Sequence, residues 1–475
     1  MQNATTSSAN TMKAYEVLKI GQNRGTPRLW LEGVKAKLAG FLPGLRYSIR
    51  KDDERKMLVL ELAEDGLRVV SKKLKGNVET PVIDINSKET LSIFEGFESV
   101  RVIVQKTRIT VLPMQVDIAK NERLQRVISK LESGEALNVG SLSHGGGVLS
   151  HAMHHGLMTA GIPNRLAFAN DIRPELLEQS SRCNDAWDPD TIALAAPMQY
   201  LAFDVWAMEK LPKIEVLEAG LPCSGASVSG RAKNGAGHAE SHAEVGHLVV
   251  PFLAMIAKLQ PAVICLENVV PYQNTGSMCI IRNFLRDYGY QVHETTLHAE
   301  EWNALENRVR MCMIAVTEGL HFDFEALKRP EKKTCKIAEV LDPVPADDPM
   351  WSQMQGLKIK QERDLAAGKN FKMQIVNAFD TACPTITKGY AKIRSTDPKL
   401  QHPSNPDLLR QFTPAEHARI KQISERLVEG MSATVAHELL GQSICYEPFK
   451  AVAVCIGEML KSIANVVAPK QLAVA

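Results

Sequence analysis

The chain predicts an α/β protein. A doubly wound domain begins near Leu137, a small charged lobe interrupts it late, and a small β-rich domain precedes it. Three observations carry this. From Leu137 onward, apolar runs of strand length alternate with segments of helical period. Up to about residue 112, short alternating or β-branched runs are separated by Gly, Pro and charged turns. Between about 318 and 376 the periodicity fades into charged, proline-bearing sequence (KRPEKKTCK, LDPVPADDP, KIKQERDLAAGK).

Taken in order, residues 1–12 read as a disordered tail. Residues 13–112 form the β-rich domain, with strands in LKIGQ, RLWLEG, YSIRK, KMLVLEL, LRVVSKK, PVIDI, RVIVQ and RITVL. Residues 113–136, containing MQVDIAKNERLQRVISKLESG, read as a charged connecting helix. Residues 137–319 are the main α/β domain. There LNVGSLS is a strand entering HGGG, VLSHAMHHGL a helix and RLAFAND a strand ending at Asp171. QYLAF is a short strand ending at Asp204, and IEVLEAG a strand leading to Pro222-Cys223. SHAEVGHLVVPFLAMIAKL reads as a helix, AVICLENV as a strand, SMCIIRNFLRDYG as a helix, and QVHETTLHA and RMCMIAV as strands. Residues 320–380 are the inserted lobe. Residues 381–475 return to helical pattern in TPAEHARIKQISERLVEGMS and PFKAVAVCIGEMLKSIANVV and complete the domain.

Composition narrows the class. With 475 residues and 45% hydrophobic content, the chain can bury more than one core. Net charge is only +2, but it is unevenly placed: residues 1–130 hold 23 Lys/Arg against 15 Asp/Glu, the remainder 33 against 39. A basic N-terminal part fits either a surface facing a polyanion or an ordinary solvated face. The nine cysteines are scattered, and no Cys/His pairing has zinc spacing, so no structural metal is expected. The polar start lacks a signal-peptide core, and no apolar run approaches the ~18 residues of a membrane span. The expectation is a cytoplasmic protein of a reducing compartment, without a membrane partner.

The chemistry lies at the strand ends, where doubly wound folds bind their ligands. HGGG supplies mobile backbone at a helix N-terminus. Asp171 and Asp204 are carboxylates placed where ribose hydroxyls are held in such folds, or else ordinary turn residues. Cys223, followed by a loop with Arg231 and Lys233, is a nucleophile if its thiolate is exposed and stabilised, or an inert half-buried thiol. Glu267-Asn268 ends a strongly apolar strand. A carboxyl there must be paired or protonated, and a protonated one could grip a ring nitrogen. Arg308 and Arg310 have the i, i+2 spacing that points two side chains the same way on a strand, suited to a phosphate or a base carbonyl.

In this order the fragments resemble the cytosine-5 DNA methyltransferases, across roughly residues 137–465. LSHGGGVLSHAMHHGL is similar to the cofactor-binding first motif, FANDI to the second and FDV to the third. GLPCSGAS is similar to the Pro-Cys nucleophile motif, LENV to the Glu-Asn-Val motif and AEEWNALENRVRMCMIAV to the arginine motif. TACPTITKGYAKI and LRQFTPAEHARI resemble the segment after the target-recognition region, and GQSICYEPFKAVAVCIGEML the last motif. The resemblance implies a Rossmann-like methyltransferase domain and makes residues 320–380 the target-recognition lobe, whose Lys328, Arg329, Lys332, Lys333, Lys358 and Lys360 suit phosphate contact.

It also implies a role for each matching residue. Cys223 would attack C6 of a flipped cytosine in double-stranded DNA, Glu267 would hold its N3 edge, and Arg308 and Arg310 would face the carbonyl and phosphate. S-adenosylmethionine would lie along Ser143, His144, Gly145, Gly147, Asp171, Ile172, Asp204, Val205, Pro222, Gln442 and Ser443, leaving as S-adenosylhomocysteine. Ser227, Arg231, Lys233 and Asn268 would meet the DNA. The chain departs from the family pattern at Ser143 (usually aromatic), Ser224 and Glu306 (usually Gln) and Gln442 (usually Asn). Other readings stay open: an RNA cytosine methyltransferase, to whose tRNA-acting branch CPTITKGY is similar, or a non-catalytic DNA-binding regulator. A cognate nuclease in the same system is a partner the resemblance allows. In the N-terminal domain, KAKLAGFLPGLRYSIRKDDERKMLVLEL resembles AbrB/SymE-like swapped-hairpin barrels, some of which bind DNA.

Overall fold

The structure is a computed structural model. It describes residues 11–223, 225–226, 238–369 and 371–471, so most of the expected N-terminal tail lies outside the described residues. The chain divides into two compact units between Asn121 and Glu122.

The first unit is built from short strands, as the alternating runs predict. In chain order these are β1 (Ala14–Lys19), β2 (Gly21–Asn23), β3 (Thr26–Glu32), helix α1 (Val34–Leu38), β4 (Arg46–Asp52) and β5 (Met57–Leu62). Then follow β6 (Arg68–Val69), β7 (Ser71–Lys75), β8 (Val78–Asn86), helix α2 (Lys88–Leu91), β9 (Ser99–Gln105) and β10 (Arg108–Pro113). They form a six-stranded sheet, β1-β9-β10-β5-β4-β6, and a four-stranded sheet, β2-β3-β8-β7. Val100, Val102 and Val104 alternate inward along β9 and close one core with Leu29, Leu31 and Phe41. The expected short helix followed by a hairpin is present as α1, β4 and β5.

Helix α3 (Gln115–Ser133) leads into the second unit. Three of its charged residues are anchors. The guanidinium of Arg123, fully buried, donates to Thr317 Oγ1 (3.0 Å), Gln260 Oε1 (2.7 Å) and the Tyr288 carbonyl (2.8 Å). Arg126 and Lys130 both pair with the buried Glu215, each at 2.9 Å.

The second unit is the doubly wound domain. Its elements are β11 (Leu137–Leu142), α4 (Val148–Thr159), β12 (Asn164–Asp171), α5 (Pro174–Cys183), β13 (Ile192–Ala195), α6 (Met198–Phe203), α7 (Val205–Lys210) and β14 (Val216–Gly220). There follow α8 (Val249–Leu259), β15 (Val263–Asn268), α9 (Gly276–Asp287), β16 (Tyr290–His298) and β17 (Val309–Thr317). The sheet order is β13-β12-β11-β14-β15-β17-β16, with β17 antiparallel to both neighbours and the first five strands parallel. One face packs under α8 and α9 and the other under α4 and the C-terminal helix α13 introduced below. From β11 the chain winds outward to β12 and β13, then returns to the other side of β11 as β14. That reversal makes the β11/β14 edge the switch point where a doubly wound sheet opens a crevice.

Two sequence expectations are corrected. QYLAF is helix α6, and the third strand is the preceding β13, so Asp204 does not end a strand. It caps α7, its carboxylate accepting from the Ala207 amide at 3.0 Å. Four apolar residues in a row have no resolvable period, and Pro197 favours a helix start. The long helix expected from Ser241 begins only at Val249. Ahead of it Glu240 folds back to accept from the Ser277 amide (2.6 Å) and hydroxyl (2.8 Å).

Beyond β17 lie α10 (Gln355–Ala366), β18 (Ile375–Val376), β19 (Lys399–Gln401) and β20 (Leu409–Arg410). A small sheet, β18-β19-β20, spans position 380, where the lobe was expected to end. Helices α11 (Pro414–Ile420), α12 (Ala433–Gln442) and α13 (Tyr446–Gln471) close the unit, and α13 packs along α4.

Candidate active site

The loop leaving β11 is shaped by left-handed backbone. Ser143, Gly145 and Gly147 have φ of 54°, 57° and 74°. At Gly147 a side chain would overlap Ser180, Asn184 and His144, whereas nothing lies within 4 Å of where a Cβ on Gly145 would sit. The second glycine closes the helix against the sheet and the first leaves open space above the loop. The Gly145 amide donates to Asp171 Oδ2 at 2.7 Å, so the carboxylate ending β12 ties down the loop. Its other oxygen accepts from the Arg173 amide (3.0 Å). Ile172, the residue after Asp171, and Val205, at the start of α7, are both exposed. The His144 ring turns inward between the hydroxyls of Ser141 (2.7 Å) and Ser180 (2.8 Å), and burial pulls its pKa down to about 3. Its side chain is thus committed to these two hydroxyls.

Across the switch point, β14 delivers Pro222 and Cys223. The Asn268 side chain, fully buried at the end of β15, donates to the Leu221 carbonyl at 3.1 Å and so positions this turn. Glu267, its neighbour, lies opposite Gly220, and the missing side chain of Gly220 leaves room at the carboxyl. Burial raises the Glu267 pKa, while Arg310, whose Nε lies 2.9 Å from Glu267 Oε1, and Arg308 oppose the rise. Cys223 feels the same groups. Burial and the Glu267 charge raise its thiol, and Arg310 and Arg308 pull the other way. Cys223, Glu267, Arg308 and Arg310 thus share one electrostatic neighbourhood. Ser224, Ser227, Arg231 and Lys233 lie outside the described residues.

The two arginines differ in task. Arg310 engages Glu267, whereas Arg308, almost fully buried ahead of β17, donates to the Gly441 carbonyl at 3.0 Å at the end of α12. Beyond that contact Gln442 is exposed, and the Ser443 hydroxyl donates to the Leu440 carbonyl at 2.8 Å. In the lobe region, Arg329 pairs with Glu301 (2.6 Å), Lys358 with Asp407 (3.2 Å), and Lys360 with Asp364.

A nucleophile-type thiol, a buried carboxyl and an arginine thus meet at the switch point of this sheet. The model of the C-5 cytosine-specific DNA methylase family matches residues 197–458. The chain belongs to that family. The match contains Cys223, Glu267, Arg310 and Ser443 and begins after the glycine loop. Among similar proteins, the type II methyltransferase M.NlaX of Neisseria lactamica is 25% identical over 271 residues, 55% of this chain and 80% of that one. M.SsoII of Shigella sonnei is 26% identical over 256 residues, 51% and 64% of the two chains. The structure of S. pombe Dnmt2 methyltransferase superposes with a TM-score of 0.53 at 20% identity, covering 69% of this chain and 99% of that one, a likeness of fold.

C-5 cytosine-specific DNA methylases take their methyl group from S-adenosylmethionine. The residues around the glycine loop fit such a group: left-handed backbone with open space at Gly145, a carboxylate at the end of β12, and exposed apolar Ile172 and Val205 to flank a flat base.

The sequence marks Glu306 only as a departure from the family pattern and gives no sign of two other polar residues, Lys421 and Glu218. Glu306, where the family commonly has Gln, is buried with Lys421, 3.6 Å away, and accepts from the Ile386 amide at 2.8 Å. Lys421 in turn donates to the carbonyls of Leu440 and Ser443, the latter at 3.0 Å. The departure at Glu306 is thus matched by a cation from a segment 115 residues later. The third is Glu218 in the middle of β14, hydrogen-bonded to the Ser141 hydroxyl, with Oε1 unpartnered. Nothing in IEVLEAG distinguishes it from a solvated strand residue.

Glu218 yields a pH prediction. Burial, aided by the neighbouring Glu267 charge, lifts its pKa from 4.5 to about 8. The fold keeps a proton that the unfolded chain loses near pH 4.5. This contribution to stability is complete below that pH, falls as pH rises, and is lost by about pH 8. Glu218→Gln keeps the shape without the titration. The Tm of the variant is expected to gain several degrees on wild type between pH 5 and pH 8, read by calorimetry. A constant difference across that range would refute the buried neutral acid.

Proposed function

We propose that the chain methylates C5 of cytosine in duplex DNA, with Cys223 as the nucleophile. The observation that carries this reading is the meeting of Cys223 and the Glu267–Arg310 pair at the switch point, across from the glycine loop. The Cys223 sulfur adds to C6 of a cytosine swung out of the helix, and the electron pair moves toward N3. Glu267, whose pKa burial raises, holds N3 by a hydrogen bond, and Arg310 holds Glu267 and faces the base carbonyl. S-adenosylmethionine, when bound, supplies the methyl group that C5 takes up. The C5 proton then leaves, and expulsion of Cys223 restores the ring. Gly145, Asp171, Ile172, Val205 and Ser443 would hold the cofactor.

The lobe around residues 320–380 serves as the target-recognition region in this reading, and the type II designation of the relatives supports a cognate nuclease as partner. Among the described residues no helix is long and apolar enough to cross a membrane. The test supplies labelled S-adenosylmethionine with duplex DNA or with tRNA, followed by bisulfite sequencing of the DNA. Label in duplex DNA at a defined cytosine supports the proposal, and label in tRNA alone overturns it.

The N-terminal unit, basic in composition, is proposed to add DNA affinity. Deleting residues 1–112 is expected to weaken duplex binding about tenfold at moderate salt, and to flatten its salt dependence, while methyl transfer persists. Unchanged affinity and salt slope would assign that unit another task.

A further inference from the structure

Helix α4 carries three histidines in SHAMHH, and none takes part in the chemistry above. His151 and His155 are four residues apart and share a helix face, with ring centroids 4.3 Å apart. Asp185, two residues past α5, reaches both. Its Oδ2 is 2.9 Å from His155 Nε2 and its Oδ1 is 3.4 Å from His151 Nε2. All three donor groups fall within 4.8 Å of one another. A tetrahedral zinc ion with bonds of about 2.0–2.1 Å sets its ligand atoms about 3.3 Å apart, so little movement is needed.

A hydrogen bond behind His151 points the same way. His151 Nδ1 lies 2.7 Å from the Tyr446 hydroxyl, so the ring is held through Nδ1 with Nε2 turned to Asp185. A partner that fixes the ring through its other nitrogen is the usual support of a metal-ligating histidine. His154, between the two, turns aside to Asn164 Oδ1 at 2.9 Å.

We propose that His151, His155 and Asp185 bind one divalent cation of the zinc class, with water completing the shell. Two imidazoles and one carboxylate favour zinc or cobalt over magnesium. The site joins α4, which begins at the glycine loop, to the segment after α5, and through Tyr446 to the start of α13. Its cation would therefore stiffen the framework behind the cofactor loop. It uses no cysteine, which is why cysteine spacing gave no sign of it.

The test is a titration of the full-length, chelator-treated protein with Co²⁺, followed by displacement with Zn²⁺. Expected are one saturable equivalent, visible d–d bands without a thiolate-to-cobalt charge-transfer band, and a higher Tm with Zn²⁺. His155→Ala and Asp185→Asn, both at partly exposed positions, are expected to weaken binding at least tenfold while leaving the metal-free Tm near that of wild type. His154→Ala is expected to bind as wild type does. Absence of saturable binding, a thiolate band at the first equivalent, or undiminished binding in His155→Ala and Asp185→Asn would each overturn the site.

Discussion

Cys223→Ser is expected to reduce methyl transfer to duplex DNA by at least about 10³-fold while S-adenosylmethionine binding stays within about twofold of wild type. The thiol is half-buried, and its proton is held by burial and by the Glu267 charge, with Arg310 and Arg308 pulling toward the thiolate. A thiol has a reachable anion in this field, whereas a serine hydroxyl lies far above it and adds to C6 only if a base takes its proton. Among the described residues the carboxylate of this neighbourhood, Glu267, is engaged with Arg310. The glycine loop and Asp171, on the other side of the switch point, are untouched, so cofactor affinity is preserved. Single-turnover transfer measures the first part and calorimetric titration of the cofactor the second. A duplex carrying 5-fluorocytosine, which blocks release, is expected to trap wild type covalently and leave the variant free. Transfer by Cys223→Ser at wild-type rate would remove Cys223 from the chemistry.

The second large effect is expected at Lys421. Its ammonium is fully buried, and burial, with the Arg308 charge, pulls its pKa down to about 7. It neutralises Glu306 and caps the carbonyls of Leu440 and Ser443. For Glu306, burial alone would raise the carboxyl, but Lys421 and Arg308 outweigh it and hold the pKa below the usual range. Lys421→Met leaves a buried carboxylate with Arg308 and the more distant Arg310 as its cations, and removes a donor from the carbonyls of Leu440 and Ser443. Urea unfolding is expected to register a loss of about 3–5 kcal/mol. Glu306→Gln alone removes the charge that Lys421 answers and is also expected to destabilise. The double variant Glu306→Gln/Lys421→Met, which restores the amide usual in the family, is expected to recover about 2 kcal/mol or more relative to additivity. Strict additivity would mean that the two residues do not act as a pair. The segment at stake joins the arginine motif to Gly441–Ser443, so the single variant is also expected to lose cofactor affinity.

The order of elements was legible because it depends on local signals. The apolar run of AVICLENV, the punctuation of HGGG and the alternation along RVIVQ each reflect a few neighbouring residues and their backbone preferences. The grouping of Cys223, Glu267 and Arg310 was legible for the same reason: Cys223 follows β14, Glu267 is near the end of β15 and Arg310 near the start of the antiparallel β17, so all three lie at one edge of the sheet. QYLAF failed because four apolar residues in a row carry no period, and only their packing made them part of helix α6.

What the sequence by itself determined was the strand and helix series and the residues at its open edge. The tertiary structure alone decided which polar side chains turn inward. His144 and Asn268 look like surface ligands in a string of letters, yet each satisfies buried neighbours. Glu218 becomes a buried acid because β14 lies between β11 and β15, and Glu306 survives because the chain returns 115 residues later to bring Lys421 beside it. The cost of burying a polar group depends on partners that are distant in sequence, and a linear pattern carries no record of that distance.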